Sequence, residues 1–150
     1  MLAKSEWGTL KPRLALAIRL KQRKSQLVVM SDRGAATVSV SLYGIVAGGL
    51  RVLPFETGES AGTELTLNGS VDTWTGVSCK LGGPLTVIGF AAFGKHSFYS
   101  KQVYRLTGRW LRRRWQRTAR RDKPPRWWKA ETGKPNFAGC IVAGSAARLG

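Results

Sequence analysis

Thr37-Val38-Ser39-Val40-Ser41-Leu42 alternates small polar and apolar residues one for one. A period of two puts Val38, Val40 and Leu42 on one side of an extended chain and the hydroxyls on the other, as in a half-buried strand. Glu64-Leu65-Thr66-Leu67 repeats the pattern, and further strands are expected through Val71 to Leu81, Leu85 to Phe93 and Lys101 to Leu106. Turn signals separate them: Gly48-Gly49, Ser60-Ala61-Gly62, Asn68-Gly69 and Gly82-Gly83-Pro84. Asn68-Gly69 is the strongest, since both residues accept the positive φ of a hairpin turn. So many short strands in this span predict a small antiparallel sheet or an OB/SH3-like barrel core.

Outward from this core the pattern changes. On the N-terminal side, Leu10, Leu14 and Ile18 recur at helical spacing, as do Leu16 and Leu20, with Thr9 as N-cap and Pro12 in the first turn. A short helix is expected there, its apolar stripe docked on the core. On the C-terminal side, Arg109 to Arg121 lacks glycine and proline and sets Leu111, Trp115 and Thr118 or Ala119 on one stripe, predicting a second helix stopped by Pro124-Pro125. Residues 124–150 have little periodicity and read as an extended tail. The expected fold class is mainly β with flanking helices, an α+β arrangement: a basic N-terminal extension at 1–33, a β-rich core at 34–108, an arginine-rich helix at 109–123 and the tail.

Charge divides the chain in the same way. Residues 1–33 carry a net +6, residues 34–100 a net −1 and residues 101–150 a net +12, within a total of +17 over 150 residues. Self-repulsion of that size calls for a polyanionic partner. Hydrophobic residues at 43% suffice for one modest core. Cys79 and Cys140 have no zinc spacing and read as free thiols, which favours a reducing, intracellular setting, cytoplasmic or organellar. The first 26 residues are basic and weakly amphipathic, like organellar targeting segments, but Glu6 and the few serines argue against that reading. No apolar run is long enough for a spanning helix, so no integral membrane insertion is expected.

Between Arg105 and Lys129 lie Arg105, Arg109, Arg112, Arg113, Arg114, Arg117, Arg120, Arg121, Lys123, Arg126 and Lys129, opposed only by Asp122. On a helix, Arg109, Arg113, Arg117 and Arg120 would share one face and contact phosphates across a groove. Guanidinium grips phosphate bidentately and stacks on bases better than ammonium, which favours structured RNA over duplex DNA. Trp127 and Trp128, after the proline pair, are expected to contact bases, whereas Trp115 and Leu111 are expected to pack on the sheet. At the other end Lys11, Arg13, Arg19, Lys21, Arg23 and Lys24 form a second candidate phosphate-binding group.

Catalytic signals are weak. Gly89, Gly94 and Lys95 fit a phosphate-loop spacing, but His96 stands where a magnesium-holding Ser or Thr belongs, and Phe90-Ala91-Ala92-Phe93 reads as a buried strand. His96 is the only histidine, and Glu56, Glu59, Glu64 and Asp72 lack metal-ligand spacing. No catalytic residue, metal or cofactor is expected.

Val40-Ser41-Leu42-Tyr43-Gly44, Phe90-Ala91-Ala92-Phe93-Gly94-Lys95, Gln102-Val103-Tyr104 and Gly108-Arg109 together resemble the strand signatures of bacterial single-stranded DNA-binding proteins of the OB-fold class, over about half the chain. The resemblance implies a small barrel. The spacing from Lys95 to Gly108 is too short for that family's intervening helix, and its aromatic stacking positions have no residue-by-residue match here.

The function expected from sequence is non-catalytic nucleic-acid binding, as a structural RNA-binding component of a ribonucleoprotein such as a ribosome, alongside other proteins of a large assembly. The alternatives are a single-stranded nucleic-acid-binding OB-fold protein and a viral nucleic-acid-packaging or capsid protein.

Overall fold

The computed structural model describes residues 13–21, 24–56 and 61–142. Its strands are β1 (Arg13–Lys21), β2 (Lys24–Arg33), β3 (Thr37–Val46), β4 (Gly49–Val52), β5 (Phe55–Glu56), β6 (Ala61–Gly62), β7 (Leu65–Gly69), β8 (Thr73–Cys79), β9 (Leu85–Phe93), β10 (His96–Thr107) and β11 (Trp110–Arg121). One seven-residue helix, α1 (Arg126–Thr132), and a 3-10 turn at Ala138–Cys140 follow. The protein is mainly β. The strands join in one sheet in the order β1-β2-β3-β7-β8-β9-β10-β11-β5-β6, with β4 beside β3. All pairings are antiparallel except β11 with β5.

Val38, Val40 and Leu42 are buried as the alternation of β3 requires. Hairpin chemistry sets the register. Ala47 and Gly48 both take positive φ, 50° and 77°, between the paired residues Val46 and Gly49, which makes a two-residue turn of I′ character. Gly94 and Gly108 (φ 60° and 61°) each open the two-residue turns to Lys95 and Arg109. Asn68 and Gly69 have the expected positive φ but end β7, and the loop to Trp74 follows them.

Both expected helices are strands over the described residues; Thr9, Leu10 and Pro12 of the first lie outside them. In β1 the decisive period is two: Leu16, Ile18 and Leu20 are buried, and burying that row against the core outweighs the i, i+4 spacing that suggested a helix. The segment read as an N-terminal extension therefore supplies two strands of the sheet, β1 and β2. At 109–121 the Gly108-Arg109 turn folds β11 back along β10, pairing from Thr107 with Trp110 out to Ser97 with Arg121.

Within the described residues, which reach 142, the tail is not simply extended. Pro124-Pro125 leads into α1, with the Pro125 carbonyl accepting from the amides of Trp128 and Lys129. Beyond it, Phe137 is fully buried and its amide donates to the Val77 carbonyl on β8, while the Val142 amide donates to the Ala17 carbonyl on β1. Residues 136–142 thus bridge β8 to β1. A disulfide joins Cys79 to Cys140, correcting the free-thiol expectation. Two cysteines far apart in sequence cannot reveal that the chain end returns to β8. The return is close: a Cβ on Gly139 would sit 1.9 Å from the Cys79 carbonyl oxygen, so only glycine fits. The core is one cluster that includes Leu16 and Ile18 of β1, Leu42 of β3, Leu85 of β9, Tyr104 of β10 and Leu111 of β11, so the sheet curls until its two ends share an interior.

Candidate nucleic-acid interface

The β10–β11 hairpin carries most of the predicted cations. Each strand is 12 residues long, a span of about 40 Å. β5 covers the outer edge of β11 only at Leu111 and Arg112, and among the described residues no strand pairs with that edge from Arg113 to Arg121. A bulge at Arg114 lies between the pairs Tyr104–Arg113 and Val103–Trp115. The extra residue switches faces. Arg113 consequently shares the core-side face with Gln116, Thr118 and Arg120, whereas Trp115, Arg117 and Arg121 lie on the opposite face, toward α1. The single helical ridge expected for Arg109, Arg113, Arg117 and Arg120 is replaced by arginines on both faces of an open edge. Trp115, expected in the core, is 47% exposed, and Leu111 is the residue of that stretch that is fully buried.

Among the described residues only Arg112 of these eleven cations meets a carboxylate, Glu56 at 3.2 Å. Arg113 donates to Gln116 Oε1 at 2.9 Å, and Arg109, Arg117 and Arg120 lie 5.3, 5.3 and 5.7 Å from the ring centres of Trp110, Trp127 and Phe98. Like charges sit directly opposite at Arg105–Arg112 and Lys101–Arg117, pairings that cost stability unless relieved. Glu56 relieves the first. Glu131 relieves the second, receiving Lys101 Nζ at 2.9 Å. Burial alone would raise the Glu131 pKa, but hydrogen bonds from Ser78 and Lys101 and the charges of Lys101 and Lys134 outweigh it, so the carboxyl titrates below its ordinary range. Burial raises the Tyr104 hydroxyl and the Arg113 charge partly offsets it.

α1 seats against the sheet through Trp128. Its ring centre lies 5.2 to 6.2 Å from those of Tyr99, Trp74 and Phe90, and its Nε1 donates to the Gly89 carbonyl at 2.9 Å. Trp128 is therefore engaged inside the protein, while Trp127 is half-buried against Arg117, and Arg126, Lys129 and Lys123 are exposed. Trp115 lies on the same face, 5.9 Å from Lys101.

The N-terminal group divides. Lys11 and Arg23 lie outside the described residues, as does the side chain of Arg13. Arg19 is half-buried, with an Nε that has no hydrogen-bond partner. Lys21 and Lys24 are exposed and line a cleft of about 330 Å³ together with Gln26, Ile45, Leu106 and Gly108. This brings the N-terminal cations to the Gly108 end of the hairpin, a convergence that no linear reading contains.

Sequence reasoning missed Phe93 and Phe98, which are 66% and 41% exposed at the other end of the hairpin. The signal was present: Phe90 and Phe93 are three apart, so a strand that buries one points the other away. Gly89 lies within β9 and Gly94-Lys95 is a hairpin turn, so the phosphate-loop spacing has no loop-to-helix geometry behind it. Among the described residues no three His, Cys, Asp or Glu side chains gather, and no helix is long and apolar enough to cross a membrane. No family model, curated protein or solved structure matches the chain.

Proposed function

We propose that the chain is a non-catalytic nucleic-acid-binding protein, an RNA-binding component of a ribonucleoprotein, whose β10–β11 hairpin lies along the phosphate backbone. The observation that carries this reading is the open β11 edge, where Arg113, Arg114, Arg117, Arg120 and Arg121 have no carboxylate partner among the described residues. A protein that only needed solubility would not gather five arginines on one open strand edge without opposing acids. The curled sheet serves as a small barrel-like support, with β8 tied to β1 by residues 136–142.

A salt titration against matched single-stranded and duplex RNA and DNA tests it. With about 6 to 10 phosphate contacts, affinity falls roughly 10³ to 10⁵ fold between 50 and 200 mM salt. Replacing Arg114, Arg117 and Arg121 by glutamine lowers the slope of log affinity on log salt by about one for each phosphate no longer neutralised. A flat salt response overturns the reading.

The Cys79–Cys140 disulfide favours a second reading, a viral packaging or capsid protein, because disulfides persist in oxidising settings that include virion surfaces. Light scattering from protein mixed with nucleic acid distinguishes them: discrete particles support packaging, and a simple stoichiometric complex supports the first reading.

A further inference from the structure

We propose that the end of the β9–β10–β11 sheet beyond the core is a binding site for unpaired nucleotides, with bases stacking on Phe93 and Phe98 and a phosphate held by Arg120; this rests on the nucleic-acid reading above. On the core-side face the buried residues stop at Leu85, Val77 and Tyr104, yet the strands continue. The next rows across the sheet are Thr75–Gly89–Ser100–Thr118 and Thr73–Ala91–Phe98–Arg120, followed by Phe93 beside the Gly94 turn. Small side chains in the first row leave a flat strip. The rings stand at its end.

Phe93 and Phe98 meet edge to face with centres 5.8 Å apart, and the Arg120 guanidinium lies 5.7 Å from the Phe98 centre. Leaving two phenyl rings this exposed forgoes their burial, and an exposed apolar pair beside an arginine is a contact surface by its chemistry. Charge selects the occupant: Arg120, the cation on this face beside the rings, has no carboxylate partner among the described residues, so an anionic ligand fits and an acid-free apolar one does not. Ring faces need base faces, which a duplex keeps stacked on each other. The occupant is therefore single-stranded polynucleotide, read by stacking without base-specific hydrogen bonds.

The test is fluorescence anisotropy with labelled dodecamers of uridine and of thymidine, an abasic dodecamer and a matched RNA duplex, on the full chain and on Phe93→Ala/Phe98→Ala. The double variant is expected to lose roughly 10- to 100-fold for both base-bearing single strands, and nothing for the abasic strand or the duplex. Phe93→Ala alone, at the more exposed ring, gives an intermediate loss, and circular dichroism confirms that both variants fold. Loss with one of the two single strands only assigns the site to that sugar type and supports the proposal. If the wild type binds all probes with salt sensitivity and the double variant binds them equally well, the stacking site is wrong and the phosphate-binding reading stands. Wild type that binds no probe overturns both. If the double variant differs only in sedimentation, the patch joins copies of this chain and the proposal fails.

Discussion

Glu131 shows how single residues hold the charged hairpin in place. Its carboxylate neutralises Lys101 beneath Arg117, and its lowered pKa means that the folded state binds its proton less readily than the unfolded chain. The ion pair therefore adds stability above the unfolded carboxyl pKa of about 4.3, and the gain is lost as pH falls through the lower folded value. Glu131→Gln is expected to cost about 1 kcal/mol at pH 7 and nothing once both states are protonated, measured by urea unfolding at pH 7 and below pH 3. At this scale the sequence was partly legible. The cation run was plain to see, but which tryptophan is engaged internally was not. Trp128 donates to a carbonyl at Gly89, 39 residues away, a partner that only tertiary structure supplies.

At the scale of elements, β11 combines a structural end and a charged end. Leu111 is fully buried, while Arg113 to Arg121 run along an open edge. Leu111→Ala should destabilise by about 3 kcal/mol in chemical denaturation, through lost burial and a residual cavity. Arg117→Gln should change stability by less than about 0.5 kcal/mol while reducing salt-sensitive binding. Cationic side chains also keep a bare strand edge from pairing with another copy, so the same arginines protect the hairpin from aggregation. β3, β7, β8, β9 and β10 were readable because they alternate and end at glycine turns, whereas the short strands β4, β5 and β6 carry too few residues to show a period. β11 was not, because the Arg114 bulge interrupts its alternation and leaves Leu111, Trp115 and Thr118 at a spacing that imitates a helix. β1 was misread differently, since a row of leucines satisfies both periods and only burial decides between them.

For the whole molecule, the division by charge into a neutral core and two basic ends does not match a division in space. β1, β2 and β11 belong to the same sheet as the neutral strands. The disulfide spans 61 residues, and closing a loop of that length is worth about 4 kcal/mol. Cys140→Ser should lower stability by about that amount relative to the oxidised protein, and a reductant should lower the wild type to the same level in guanidinium titration. Equal stability with and without the bond would mean that Phe137 and the Val142 hydrogen bond hold the chain end unaided.

The bond from Val142 to Ala17 also fixes the order in which the molecule can be completed. A chain made from its N-terminus presents the outer edge of β1 early, and that edge is covered only later, at Arg19 by the Gly82 amide and at Ala17 by the Val142 amide. During synthesis that edge is an open template for pairing with other nascent chains, so truncated products should aggregate where the finished protein stays dispersed.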